Sequence, residues 1–252
     1  VDLNSGRDGG PDCSDLIYDL SSSNEETMSL SLCGFTASNY YNKSKIALLE
    51  AGAEFTEVPV FPGDIDPKSS PLKKAPYLLT PQGPLCESQV IVEYVAQRYP
   101  QAGLYPTDVF AAAKVRELCA YLDTHLELVA RRLYPEALFG GKVSDGLKES
   151  TKKELTRNVK AFMQLAKFLP YAAGDAFTAA DISAYVHLPL VRAVGKKVFG
   201  EDLLGDFDLK AYMALLNQRA AFARTAADAA AGMPAFMAYI QAASGAASAK
   251  TA

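Results

Sequence analysis

The sequence predicts a mixed α/β domain followed by an all-helical domain, on three observations. Between residues 29 and 99, short alternating apolar runs are interleaved with two helical patterns. A proline and glycine cluster, Tyr99-Pro100-Gln101-Ala102-Gly103 with Tyr105-Pro106 behind it, interrupts the chain and sets a boundary near residues 101–107. Beyond it no stretch alternates as a strand would, and long helical patterns take over. The 252 residues suffice for one large domain or two ordinary ones, and the 49% hydrophobic content for a sizeable core.

Residues 1–28 are rich in Ser, Asp, Asn and Gly, with one apolar patch at Leu16-Ile17-Tyr18. No basic stretch precedes an apolar core, so this is not a signal peptide. It is read as a leader, either appended to the native chain or mobile. Ser29 to Gly34 alternates as a strand, Phe35 to Asn39 is a loop, and Tyr40 to Ala51 has helical spacing at Ile46, Leu48 and Leu49, with Gly52 to end it. Phe55 to Val60 is a second strand, whose Pro59 suits a sheet edge. Residues 61–73 are proline-rich and irregular. Tyr77-Leu78-Leu79, the turn Pro81-Gln82-Gly83-Pro84, and Leu85-Cys86 form a hairpin. A helix then starts at Glu87-Ser88, with Val90, Ile91, Tyr94 and Val95 on one face. This order fits a thioredoxin-like domain, residues 29–102, with helices on both faces of a mixed sheet.

In the second domain, residues 108–242, helices are expected over Val109–Leu133, Ser144–Leu169, Gly205–Ala231 and Pro234–Ala243, with a frayed tail at 243–252. Phe177-Thr178-Ala179-Ala180-Asp181-Ile182 reads as a capping box with a hydrophobic staple, a structural feature. The net charge of −4 and scattered lysines and arginines argue against a nucleic-acid groove. No apolar run reaches the ~18 residues of a membrane span. Cys13, Cys33, Cys86 and Cys119 show neither CxxC nor metal spacing and read as reduced cysteines, consistent with a cytoplasmic protein.

Lys74-Ala75-Pro76, followed eleven residues beyond the proline by Glu87-Ser88, resembles the glutathione site of cytosolic glutathione transferases. The resemblance covers roughly residues 29–225. It implies that Pro76 is cis, that the backbone of Ala75 pairs with the cysteinyl part of glutathione, and that Glu87 and Ser88 hold its γ-glutamyl end. Lys74, with Lys73 beside it, either meets the glycyl carboxylate or is simply solvated. The resemblance further implies a cytoplasmic homodimer active in detoxification, with glutathione as co-substrate, a small hydrophobic electrophile and no metal.

Such an enzyme must hold the glutathione thiol as a thiolate, the nucleophilic form. Lowering a thiol pKa by about two units requires close to 2.7 kcal/mol of preference for the anion. One hydrogen bond to a charged group supplies ~1.5–3 kcal/mol, so a single hydroxyl suffices. Phe35-Thr36-Ala37-Ser38 resembles the Phe-Trp-x-Ser loop of the serine-type tau class, which makes Ser38 the expected donor. Thr36 replaces the tryptophan and Asn39-Tyr40-Tyr41 replaces Pro-Phe-x, which leaves Tyr40 and Tyr41 as alternatives. The electrophile pocket is expected between the domains, from Tyr40, Tyr121, His125, Arg132 and Tyr134. A peroxidase or isomerase using the same thiolate, and a scaffold without turnover, are the rival functions.

Overall fold

The computed structural model describes residues 29–249. The leader expected at 1–28, Cys13 and the last three residues lie outside the described residues. The N-terminal domain holds β1 (Leu30–Gly34), α1 (Asn39–Glu50), β2 (Phe55–Pro59), β3 (Tyr77–Thr80), β4 (Gly83–Cys86) and α2 (Ser88–Arg98). The sheet order is β2-β1-β3-β4. β1 runs parallel to β2 and antiparallel to β3, which pairs antiparallel with β4. Pro59 therefore lies on an edge strand, where its missing N–H costs no ladder bond.

The second domain contains α3 (Val109–Ala120), α4 (Leu128–Ala130), α5 (Tyr134–Phe139), α6 (Asp145–Leu165), α7 (Ala179–Val194), α8 (Leu209–Leu216) and α9 (Ala220–Ala249). A π segment, Tyr121–Glu127, joins α3 to α4, and a 3-10 turn, Arg131–Leu133, joins α4 to α5. The expected long helix is thus one helical path with a local widening. α6 stops at Leu165, earlier than the pattern suggested, because the chain must leave helical backbone ahead of Pro170. Lys167 N–H then bonds Ala172 O in a tight reversal. Pro234 lies within α9 instead of starting a new helix. The carbonyl it cannot serve belongs to Ala230, an exposed residue within reach of water.

One core spans both domains. Leu32, Ile46 and Leu48 join the same buried cluster as Leu118, Leu122, Leu126, Ile182 and Leu188. The capping box is present. The Asp181 carboxylate accepts from Thr178 N–H at 2.8 Å, Ala172 N–H at 2.7 Å and Tyr212 O–H at 2.6 Å. It therefore ties the start of α7 to the preceding turn and to α8. Phe177 meets Phe222 edge-on at 5.8 Å and stacks under the Arg219 guanidinium. No helix among the described residues is long and apolar enough to cross a membrane.

Candidate active site

Sheet register brings the sequence motifs together. Tyr77 pairs with Cys86 across the β3–β4 ladder. Carried two residues further, that register sets Ala75-Pro76 against Glu87-Ser88. Cys33 pairs with Tyr77 across β1–β3, so the chain leaving β1 at Gly34 runs alongside Ala75. A Cβ on Gly34 would meet Tyr41 at 2.5 Å and the Ala75 Cβ at 3.2 Å, and its φ of +152° also favours glycine. Three chain segments and the N-termini of α1 and α2 thus converge at one end of the sheet. Free backbone N–H groups and helix dipoles there favour an anion.

The Ala75–Pro76 peptide is cis. Ser70, fully buried, holds the approach to it: its Oγ donates to Lys74 O at 2.9 Å and accepts from Lys74 N–H at 3.2 Å. Nothing in the sequence motif had marked Ser70. Lys73 and Lys74 are exposed. Glu87 has φ +67° and ψ 115°, a sparsely populated conformation for a non-glycine residue, and is exposed, while Ser88 is buried. Among the described residues, neither the Glu87 carboxylate nor the Ser88 hydroxyl has a hydrogen-bond partner, so both are free for a ligand.

Ser38 is the N-cap of α1. Its Oγ accepts from Tyr41 N–H at 3.3 Å. A hydroxyl carries one proton and two lone pairs, so this contact leaves the proton available. The tyrosines differ. Tyr40 donates to Glu127 Oε2 at 2.5 Å, and Tyr41 donates to Glu57 Oε2 at 2.8 Å. Burial, reinforced by those carboxylates, pushes both phenols well above their ordinary value. Their protons are committed within the fold.

Glu127 draws the two domains together. It is fully buried and accepts from Asn39 Nδ2 at 2.9 Å, Tyr134 O–H at 3.0 Å, Tyr40 and the Arg131 guanidinium. Burial opposes its ionisation, but the donated bonds and the charge of Arg131 prevail and hold its carboxyl below the usual range. Asn39 also meets His187 Nδ1 at 3.0 Å, and His187 Nε2 meets Asp123, which takes two bonds from the buried Lys43. A continuous polar chain thus backs the residue next to Ser38. The sequence reading missed Glu127, Asp123 and Lys43, because their partners are many residues away.

Of the other expected pocket residues, Tyr121 and His125 touch through their rings at 4.9 Å, and Arg132 reaches Glu154 of α6 at 2.7 Å. The last helix supplies further walls. Phe236 stacks on Phe35 at 5.1 Å, Tyr239 stacks on Phe61 at 4.7 Å, and Tyr239 O–H accepts from Gly63 N–H at 3.1 Å. A Cβ on Gly232 would lie 1.9 Å from Thr36 Oγ1, so α9 rests directly on the loop that carries Ser38. A cleft of about 250 Å³ opens beside that loop, between α1, α7 and α9. Among the described residues, no group of three or more His, Cys, Asp or Glu is placed to hold a metal.

Residues 32–103 match the family model for the glutathione S-transferase N-terminal domain. A glutathione S-transferase of Pseudomonas putida strain F1 is 40% identical over 215 residues, covering 84% of this chain and 98% of the relative. Among solved structures, a tau-class glutathione S-transferase from mango, Mangifera indica, superposes with a TM-score of 0.64 at 20% identity, over 79% of this chain and 93% of that one. A glutathione S-transferase of Methylobacterium radiotolerans, solved with glutathione sulfonate, gives 0.61 at 25% identity, over 78% and 93%. The chain belongs to the glutathione S-transferase family, with the thioredoxin-like and helical domains of that fold and glutathione as its co-substrate.

Proposed function

We propose that the enzyme joins the glutathione thiolate to an electrophilic carbon of a small apolar compound, with Ser38 as the donor that stabilises the sulfur anion. The observation that carries this is the uncommitted proton of Ser38 at the N-terminus of α1, beside two tyrosines whose protons are held by carboxylates. Glutathione is held by the backbone around Ala75 and Pro76, by Glu87 and Ser88 at its γ-glutamyl end, and by Lys74 at its glycyl carboxylate. The thiol proton leaves to solvent. The carbon–sulfur bond forms as the leaving group departs with its electron pair, and holding the two reactants together lowers the barrier further.

The electrophile approaches between the domains, past Tyr40 and past Tyr134, which shares Glu127 with it. Tyr121, His125 and Arg132 stand along the same helical path. Exposed Val90, Val109 and Phe110 offer an apolar surface to a second copy, supporting a homodimer. Cytoplasmic detoxification is the setting in which we place the activity.

Calorimetric titration of glutathione into Glu87→Ala and Ser88→Ala tests the binding half of this reading. A lost hydrogen bond to a charged group is worth ~1.5–3 kcal/mol, so each variant should bind about tenfold or more weakly. Wild-type affinity in both variants would overturn it.

A further inference from the structure

The polar chain behind Ser38 closes into a ring. Asn39 and Lys43 lie one turn apart on α1. Asn39 meets His187 of α7, His187 meets Asp123 of the π segment, and Asp123 receives Lys43 Nζ at 2.6 and 2.8 Å. Both ends of the first turn of α1 are thereby tied to the second domain. His187 and Lys43 are fully buried. The same π segment carries Glu127, which receives Asn39 and Tyr40.

The hydrogen bonds fix where the protons of Asn39 and His187 lie. Asn39 Oδ1 accepts from Arg131 Nη2 at 3.1 Å, and Nδ2 donates to Glu127 Oε1 at 2.9 Å. A reversed amide would set its carbonyl against the Glu127 carboxylate and its NH₂ against the guanidinium, so the orientation is determined. The second N–H of Nδ2 then meets His187 Nδ1 at 3.0 Å, and that nitrogen must accept. The ring proton sits on Nε2, which donates to Asp123 Oδ1 at 2.9 Å. An apolar side chain at this place on α7 would need neither partner. The imidazole supplies an acceptor for one particular amide.

Ser38 depends on this anchoring. Its Oγ accepts from Tyr41 N–H at 3.3 Å, longer than an ordinary bond of that type, which holds the hydroxyl only weakly. The direction of the hydroxyl is therefore set by the backbone, and the next residue along that backbone is Asn39. Resting on the assignment of Ser38 as the donor, we infer that His187 is a positioning residue for thiolate formation. By accepting from Asn39 it holds the first turn of α1 where the Ser38 proton is aimed at the glutathione sulfur. A displacement of about 1 Å at the start of the helix is enough to misdirect that bond.

Titration of the bound thiolate by its ultraviolet absorbance against pH reads the aim of Ser38. His187→Gln keeps a donor toward Asp123 but offers Asn39 no acceptor at the Nδ1 position. It should move half-ionisation up by about one pH unit, a tenfold loss of thiolate, with glutathione still bound. His187→Asn places an acceptor close to the Nδ1 position and gives up the Asp123 bond. It should recover most of the shift while melting no higher than His187→Gln. Asn39→Ala removes the middle link and should give the same one-unit shift, a check that does not depend on the His187 variants folding. In a Ser38→Ala background, neither His187→Gln nor Asn39→Ala should add to the shift. Wild-type ionisation in a folded His187→Gln or in Asn39→Ala overturns the inference. So do equal shifts in His187→Gln and His187→Asn, or a shift that persists in full in the Ser38→Ala background. Ser38→Ala read alone separates the two claims. If it ionises glutathione like wild type, the Ser38 assignment falls and takes the inference with it; if it shifts and His187→Gln does not, only the role of His187 falls.

Discussion

Glu127→Gln is the most informative perturbation of the domain interface. The side chain keeps its volume but loses its charge, and its new NH₂ cannot accept from a phenol. Four donors are affected: the Asn39 amide, the Tyr40 and Tyr134 hydroxyls and the Arg131 guanidinium. Arg131 is partly exposed and can turn to water, whereas Tyr134 is buried and cannot. Breaking a buried charge-assisted cluster of this kind costs about 3–5 kcal/mol. At this chain length that corresponds to a fall in melting temperature of roughly 10 °C. The pH dependence has a definite sign. Glu127 has a depressed carboxyl, so its contribution is fully present above the unfolded value near ~4.3 and fades as pH falls through the lower folded value. The gap between wild type and Glu127→Gln should therefore be constant near neutrality and narrow only in acid. Melting followed by far-ultraviolet circular dichroism between neutral and acid pH reads both. A variant that melts like wild type at neutral pH would refute the reasoning, and so would a gap that widens in acid.

Gly232→Ala places a Cβ against Thr36 Oγ1, so it should lower stability by about 1–3 kcal/mol and reduce turnover. Adding Thr36→Ala should restore most of both, measured by melting and by conjugation rate. Thr178→Ala should cost about 0.5–2 kcal/mol in denaturant unfolding, with thiolate formation at the remaining folded protein unchanged. Burial pushes the Cys119 thiol up to about 11, so it should resist alkylation in the folded protein at mildly alkaline pH. Mass spectrometry of peptides after iodoacetamide treatment reads its labelling directly.

What was legible in the sequence was local. Strand, turn, strand and helix between Tyr77 and Arg98 announce themselves through alternation, a Pro-Gly turn and a helix start. Once the hairpin register is set, Ala75-Pro76 must lie by Glu87-Ser88. The Thr178-to-Asp181 box is equally local, since its partners are three residues apart. The Glu127 cluster was not legible: Asn39 and Glu127 are 88 residues apart, and nothing near either says they meet. The same holds for α9. Pro234 reads as a helix breaker, yet at an exposed position its missing N–H is tolerated, and the helix continues to put Phe236 on Phe35 of the active-site loop and Tyr239 on Phe61.

The central claim is that Ser38 makes the bound thiol a thiolate. It is tested most directly by titrating glutathione into wild type and Ser38→Ala across pH and following the ultraviolet absorbance of the bound thiolate. Wild type should show thiolate at neutral pH. The variant should still bind glutathione through Glu87 and Ser88, with ionisation moved up by about two pH units, equivalent to ~2.7 kcal/mol. Equal ionisation in the two proteins would contradict the account and place the activating group elsewhere.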